Sequence, residues 1–225
     1  MSIGFQVLPR TRAVSADLAA RFRDVPVSTV SDSMNRLAAG GAELRPMHAG
    51  SVMSGPAVTV RTRPGDNLMV HLALDLAEPG DVIVVDAGGD LTNAIIGELM
   101  VMHATTLGLA GIVIFGAVRD SGALREQDLP VFAAGVTHRG PYKDGPGEIN
   151  VPIAINGMVI EPGDLVIGDP DGVLAVPFDS AESILEAAIR KNDAELKSAV
   201  QFQAGTSGRA HIRERAIALG AHFAE

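Results

Sequence analysis

Arg119 and Asp120 stand side by side where the apolar run 111–115 and its continuation 116–118 end. Open α/β sheets place ligands at the carboxyl ends of their strands, so chemistry is expected at this position. A guanidinium can grip a carboxylate through two parallel hydrogen bonds. An aspartate beside it can bind a hard cation such as Mg2+. Taken alone, the pair also reads as a surface ion pair capping a short helix from Ser121. Upstream, with twenty residues between, stands Gly97-Glu98-Leu99-Met100. Glu98 reads either as a second carboxylate acting on a cation through water or as an ordinary helix-surface glutamate. A helix beginning near Gly97 would turn the amides of Glu98 to Met100 toward an anion.

Other chemistries lack their residues. The chain has 225 residues and no cysteine, which excludes thiol nucleophiles, zinc-thiolate sites and disulfides. The histidines are His48, His71, His103, His138, His211 and His222. None is spaced as a metal-binding pair, so each reads as a core or surface imidazole. No Gly-x-Ser-x-Gly elbow, dinucleotide fingerprint or phosphate-binding loop is present. Imine chemistry needs a desolvated lysine. The lysines are Lys143, in a Gly/Pro loop, and Lys191 and Lys197, on a polar helix.

Hydrophobic residues make up 47% and charged residues 20%, with a formal net charge of −9. This is a globular composition. Without a basic run, and with one tyrosine and no tryptophan, it lacks a nucleic-acid footprint and base-stacking platforms. No apolar stretch approaches the ~20 residues that span a bilayer. Residues 1–13 lack the apolar segment of a signal peptide. The reading is a soluble cytoplasmic protein that binds neither nucleic acid nor membrane.

Periodicity and breakers predict the elements that position the motifs. Helices are expected at 15–24, capped by Ser15, and at 28–37, 66–77 and 92–107. Strands are expected at 55–61, 81–86 and 111–115. This alternation implies a partly parallel sheet covered by helices. From Pro130 the pattern changes to short strands at 131–134, Ile153–Ile155, Met158–Ile160, 164–168 and 173–176. Asn156-Gly157 between two of them is a hairpin signal. The remainder reads as helices at 180–200 and 207–219, a polar tail suited to reaching a neighbouring subunit. The chain divides as one β/α domain over 1–178 and a helical tail over 179–225 within the same structural unit.

Gly97-Glu98, the twenty-residue interval and Arg119-Asp120 together resemble the motif region of the RraA-like family. The resemblance runs from Ser28 to Pro177. It includes Gly55-Pro56-Ala57-Val58-Thr59-Val60, Pro79-Gly80-Asp81-Val82, Ala110-Gly111-Ile112-Val113, Gly116-Ala117-Val118-Arg119-Asp120 and Asp171-Gly172-Val173. That family includes divalent-metal aldolases acting on 4-hydroxy-4-methyl-2-oxoglutarate and 4-carboxy-4-hydroxy-2-oxoadipate. It also includes a non-enzymatic regulator of RNase E.

The resemblance implies an α/β fold: a swivelling β/β/α domain with a C-terminal helical tail, assembled as a homotrimer or homohexamer with active sites between subunits. By the resemblance Asp120 binds Mg2+ or Mn2+, Arg119 contacts substrate, and Gly97, Glu98, Leu99 and Met100 form the pyruvate-binding turn. Glu98 also orders a metal water. Glu195 is the candidate carboxylate supplied by a neighbour's C-terminal helix. The implied activity is a retro-aldol cleavage releasing pyruvate through an enolate, with oxaloacetate decarboxylation as a side activity. Such a class II route uses no lysine. The chain departs from the family's aldolases at Ala123, where they carry Asp or Glu. Glu126 lies three residues on. The alternative function is a protein-binding regulator of the RNase E type.

Overall fold

A computed structural model describes residues 4–38, 40–206 and 208–223. Met1 to Ile3, Ala39, Ser207 (where the last helix was expected to start) and the final two residues lie outside them. The elements run β1 (Phe5–Val7), α1 (Ala16–Phe22), α2 (Val27–Ser33), β2 (Arg45–Pro46), β3 (Met53–Thr62), α3 (Leu68–Leu76), β4 (Val82–Asp86), β5 (Ala94–Ile96), α4 (Glu98–Thr106), β6 (Gly111–Val118), α5 (Ser121–Arg125) and β7 (Val131–Val136). Then follow β8 (Gly147–Ile149), β9 (Ile153–Ile155), β10 (Met158–Ile160), β11 (Leu165–Asp169), β12 (Gly172–Val176), α6 (Ala181–Gln203) and α7 (Ala210–Ala218).

The central sheet has the order β1-β8-β3-β4-β6-β7-β2. The β3–β4, β4–β6 and β6–β7 pairs are parallel. Their strands read as continuous apolar runs because both faces are covered. Alternate side chains serve opposite faces. Val58, Val60, Ile83, Val85, Ile112 and Ile114 pack with α3 and α4. Ala57, Val82, Val84 and Val113 pack with α1, α2, the first half of α6 and the strands β9 to β12. The β11 strand pairs antiparallel with both β12 and the start of β3, joining the hairpin strands to the sheet. There Gly55 is obligatory, since a Cβ would overlap the Gly80 carbonyl oxygen. This is the α/β architecture with a C-terminal helix expected above.

Ser15 caps α1 by accepting the Leu18 amide at 3.2 Å. Asn156 and Gly157, at φ 50° and 86°, form the two-residue turn between β9 and β10. Three expected helices need correction. Residues 92–107 are not one helix: Ala94–Ile96 is a buried strand parallel to β6, and α4 starts only at Glu98. A short buried apolar run has no periodicity to separate strand from helix. The 28–37 helix stops at Ser33, because Asn35 and Arg36 both turn to φ 59°. At the other end of the chain, α6 extends to Gln203.

Only the first half of α6 is buried, through Ala181, Leu185 and Ala188. Beyond it, Leu196, Val200, Phe202, Ile212 and Ile217 are exposed. No helix among the described residues is long and apolar enough to cross a membrane.

Candidate active site

Two chain reversals at one end of the parallel strands bring the two motifs together. Arg119 leaves β6 with its amide donating to the Ile96 carbonyl at 3.0 Å, which locks it to β5. Asp120 then adopts φ 58°, ψ 35°, a left-handed conformation that aspartate tolerates better than most residues. That turn brings its carboxylate back to the start of α4, where Oδ2 accepts the Glu98 amide at 3.1 Å.

Gly97 is extended, at φ −147° and ψ −167°, so its need for glycine is steric. A Cβ there would overlap Asp120 Oδ2 and come within 2.8 Å of Arg119 Cγ. Of the first α4 amides, that of Glu98 is taken by Asp120 and that of Met100 donates to the Gly97 carbonyl at 3.2 Å. The anion-binding turn expected over Glu98 to Met100 is therefore partly filled by the protein itself.

Arg119 Nε and Asp120 Oδ2 are 3.6 Å apart, and each side chain is 43% exposed. Such a solvated pair contributes little to stability and is open to a ligand. Beside it lies a cleft of about 160 Å³. Gly97, Leu99 and Arg119 line it from the motif side; Asn67 and His71 line it from the start of α3, and Lys143 from the loop between β7 and β8. A larger cavity of about 540 Å³ between the N-terminal segment and α3 lies away from the motifs. Its two arginines are already neutralised, Arg10 by Asp81 and Arg12 by Glu161 and Asp179.

Asn67, His71 and Lys143 were not singled out as binders in the sequence. Asn67 and His71 are four residues apart, the spacing of one helix face. Asn67 is 2% exposed. Its Nδ2 donates to the Ile95 carbonyl at 2.9 Å, and its buried Oδ1 has no partner. Burial holds the His71 imidazole below its ordinary pKa, helped by the charges of Lys143 and His103 against that of Asp75. Lys143 is exposed, so its ammonium stays hydrated and the cleft lacks the desolvated lysine of imine chemistry.

Glu195 is held in its own protomer by Thr29 Oγ1, which donates at 3.1 Å, and by Lys191 at 3.2 Å. No contact joins it to Arg119 or Asp120. Ala123 is half-buried on α5, and Glu126 is exposed at its end.

Among the described residues no three His, Asp or Glu side chains gather as a metal cage. A hard cation that keeps several waters needs only one or two protein carboxylates plus ligand oxygens. Asp120, oriented through Oδ2 by the Glu98 amide and half-exposed beside the cleft, suits that role. Glu98 adds a second carboxylate in the first turn of α4. The residues present fit such an ion.

The family model described as RraA-like, Aldolase/RraA, matches residues 27–175. A protein of Halalkalibacterium halodurans provisionally named a 4-hydroxy-4-methyl-2-oxoglutarate aldolase is 42% identical over 175 residues, covering 78% of this chain and 83% of that one. The 4-hydroxy-4-methyl-2-oxoglutarate aldolase of Thermus thermophilus is 38% identical over 112 residues, covering 50% of this chain and 68% of its own. The structure of the RNA-processing inhibitor RraA from Thermus thermophilus aligns with a TM-score of 0.64 at 31% identity, covering 68% of this chain and 93% of that one.

Proposed function

The chain belongs to the RraA-like family, and on that premise we propose that it is a divalent-metal-dependent aldolase, a lyase that cleaves a 4-hydroxy-2-oxoacid of the 4-hydroxy-4-methyl-2-oxoglutarate type to pyruvate. Oxaloacetate decarboxylation, which passes through the same enolate, is its side activity. The observation that carries this reading is the packing of Arg119 and Asp120 on Gly97, with Asp120 oriented by the Glu98 amide.

Cleavage breaks the C3–C4 bond of the hydroxy acid. The 4-hydroxyl gives up its proton, the carbonyl fragment leaves, and the bond's electron pair becomes the enolate of pyruvate. A proton delivered to C3 completes the product. Mg2+ or Mn2+ held at Asp120 would supply Lewis-acid stabilisation of the developing negative charge. Arg119 adds a fixed cation beside the cleft, where a guanidinium pairs with carboxylate and enolate oxygens. Glu98 would order a water beside that ion. Glu195 of a neighbouring subunit completes the site in a homotrimer or homohexamer.

The test is pyruvate release by wild type and Asp120→Ala with Mg2+. Loss of turnover in the variant supports the assignment; unchanged turnover overturns it. A protein-binding regulator of the RNase E type is the second reading, favoured by Ala123 at the family's acidic position and by the likeness to an RNA-processing inhibitor. Absence of pyruvate from every 4-hydroxy-2-oxoacid and oxaloacetate, together with capture of the ribonuclease, would favour it.

A further inference from the structure

The cavity between the N-terminal segment and α3 holds about 540 Å³, inside the ~300–1,000 Å³ range of small-molecule sites. One wall is a strap, residues 8–14. It lies before residue 27, where the match to the family model begins. The Leu8 amide donates to the Ile149 carbonyl at 3.1 Å, and the Val14 amide to the Gly163 carbonyl at 3.0 Å. Between these two ties, residues 9–13 make no backbone–backbone hydrogen bond among the described residues. The strap is fastened at its ends and lines the cavity with its middle.

Asn150, also in the lining, carries an unpaired acceptor. It sits at φ 59° with its amide donating to the Thr59 carbonyl at 2.8 Å. Its Nδ2 donates to the Leu8 carbonyl at 2.9 Å. That bond fixes which carboxamide atom is the oxygen, and the buried Oδ1 has no donor. A buried acceptor left unpaired costs free energy until a ligand or water supplies an N–H or O–H.

Charge narrows the ligand. Arg10 pairs with Asp81 at 2.6 Å and reaches Glu78 at 3.5 Å. Arg12 pairs with Glu161 and with Asp179 at 3.2 Å, and lies 3.8 Å from Asp164. Two guanidiniums thus face five carboxylates, so the surroundings of the cavity are electronegative. An anionic ligand would find both arginines taken and would meet the surplus carboxylates. The Glu78 side chain is 78% exposed, lines the cavity and has only the long Arg10 contact, which leaves it open to a cation. Val7, Val58 and Leu76 add apolar surface. The occupant that suits all three features is an organic cation with N–H donors on an aliphatic body.

We propose that this cavity binds a short aliphatic polyamine in its ammonium form. One ammonium pairs with Glu78, a second donates to Asn150 Oδ1, and the methylene chain between them lies along Val58 and Leu76. The site shares no lining residue with the Arg119 cleft, and the proposal is independent of the aldolase reading.

The probe is 1,5-diaminopentane, with 1,5-pentanediol as its uncharged counterpart, each titrated by calorimetry into the full chain. One diamine per chain should bind, with an affinity that falls as salt is raised; the diol should give no saturable heat. Glu78→Gln should weaken the diamine about tenfold, the scale of one charge-assisted hydrogen bond. Leu76→Lys places a tethered ammonium at the cavity wall and should abolish binding. Both side chains are exposed, so the variants should keep the fold, which thermal melts check. Asp120→Ala should bind the diamine as wild type does. No saturable binding by wild type, equal binding of diol and diamine, wild-type affinity in either folded cavity variant, or loss of binding in Asp120→Ala would each overturn the proposal.

Discussion

The Asp120 carboxylate reaches back across a left-handed turn to accept the amide hydrogen of Glu98 at 3.1 Å. Two motifs twenty residues apart in sequence are thereby one object in space. Gly97 lies between them with no room for a methyl group.

Gly97→Ala should therefore damage the site more than the fold. Overpacking of this kind costs about 1–3 kcal/mol, roughly 2–12 °C in Tm for a chain of this size. Displacement of Asp120 by an ångström should lower kcat/KM about a hundredfold. A thermal melt and pyruvate kinetics on one preparation check both. A fully active Gly97→Ala would contradict the packing described.

Arg119→Lys keeps the charge and loses the planar fork. Turnover should fall about a hundredfold, the scale for removing one oriented donor from developing charge, while Tm changes by little because the Arg119–Asp120 pair is solvated. Steady-state kinetics that leave kcat intact would show that Arg119 is not turned toward substrate.

Burial pushes the Asp66 carboxyl upward in pKa. The amides of Leu68, Asp144 and Gly145 and the Arg63 charge outweigh burial and hold it below the ordinary value. A depressed carboxyl pKa contributes stability that is present above the unfolded-state value near 3.9 and is lost as pH falls through the folded value. The Tm difference between wild type and Asp66→Asn should thus be full at pH 6–7 and shrink below about pH 4. A difference that does not vary with pH would mean that the carboxylate charge contributes nothing.

Most of the central sheet was legible in the sequence. Residues 81–86 and 111–115 could be little but buried strands, and Asn156-Gly157 announced its hairpin. Residues 94–96 were misread because three buried apolar residues carry no period, and the helix start at Glu98 moved with them. Arg119 and Asp120 were visible as a pair at a strand end. The other side of the cleft was not visible. Lys143 looked like a loop lysine, and only the long-range bonds of Asp66 place it beside His71. Strands β1 and β8, which pair with each other from far apart in the chain, were both missed for a similar reason.

None of the described α7 side chains is buried. Ending the chain at Gly205 should change the stability of the folded domain by no more than about 0.5 kcal/mol. If the tail reaches a neighbouring subunit, sedimentation velocity will show a smaller assembly. An assembly of unchanged size would place the subunit contacts elsewhere.

The central claim is that Asp120 and its neighbours run a metal-assisted pyruvate-releasing cleavage. Its most direct test is a coupled pyruvate assay on 4-hydroxy-4-methyl-2-oxoglutarate with Mg2+, then with excess chelator, then with Mg2+ restored. The account predicts turnover that the chelator abolishes and the metal returns, and that Asp120→Ala lacks throughout. Pyruvate release that is indifferent to chelator and to Asp120, or no release under any of these conditions, would contradict it.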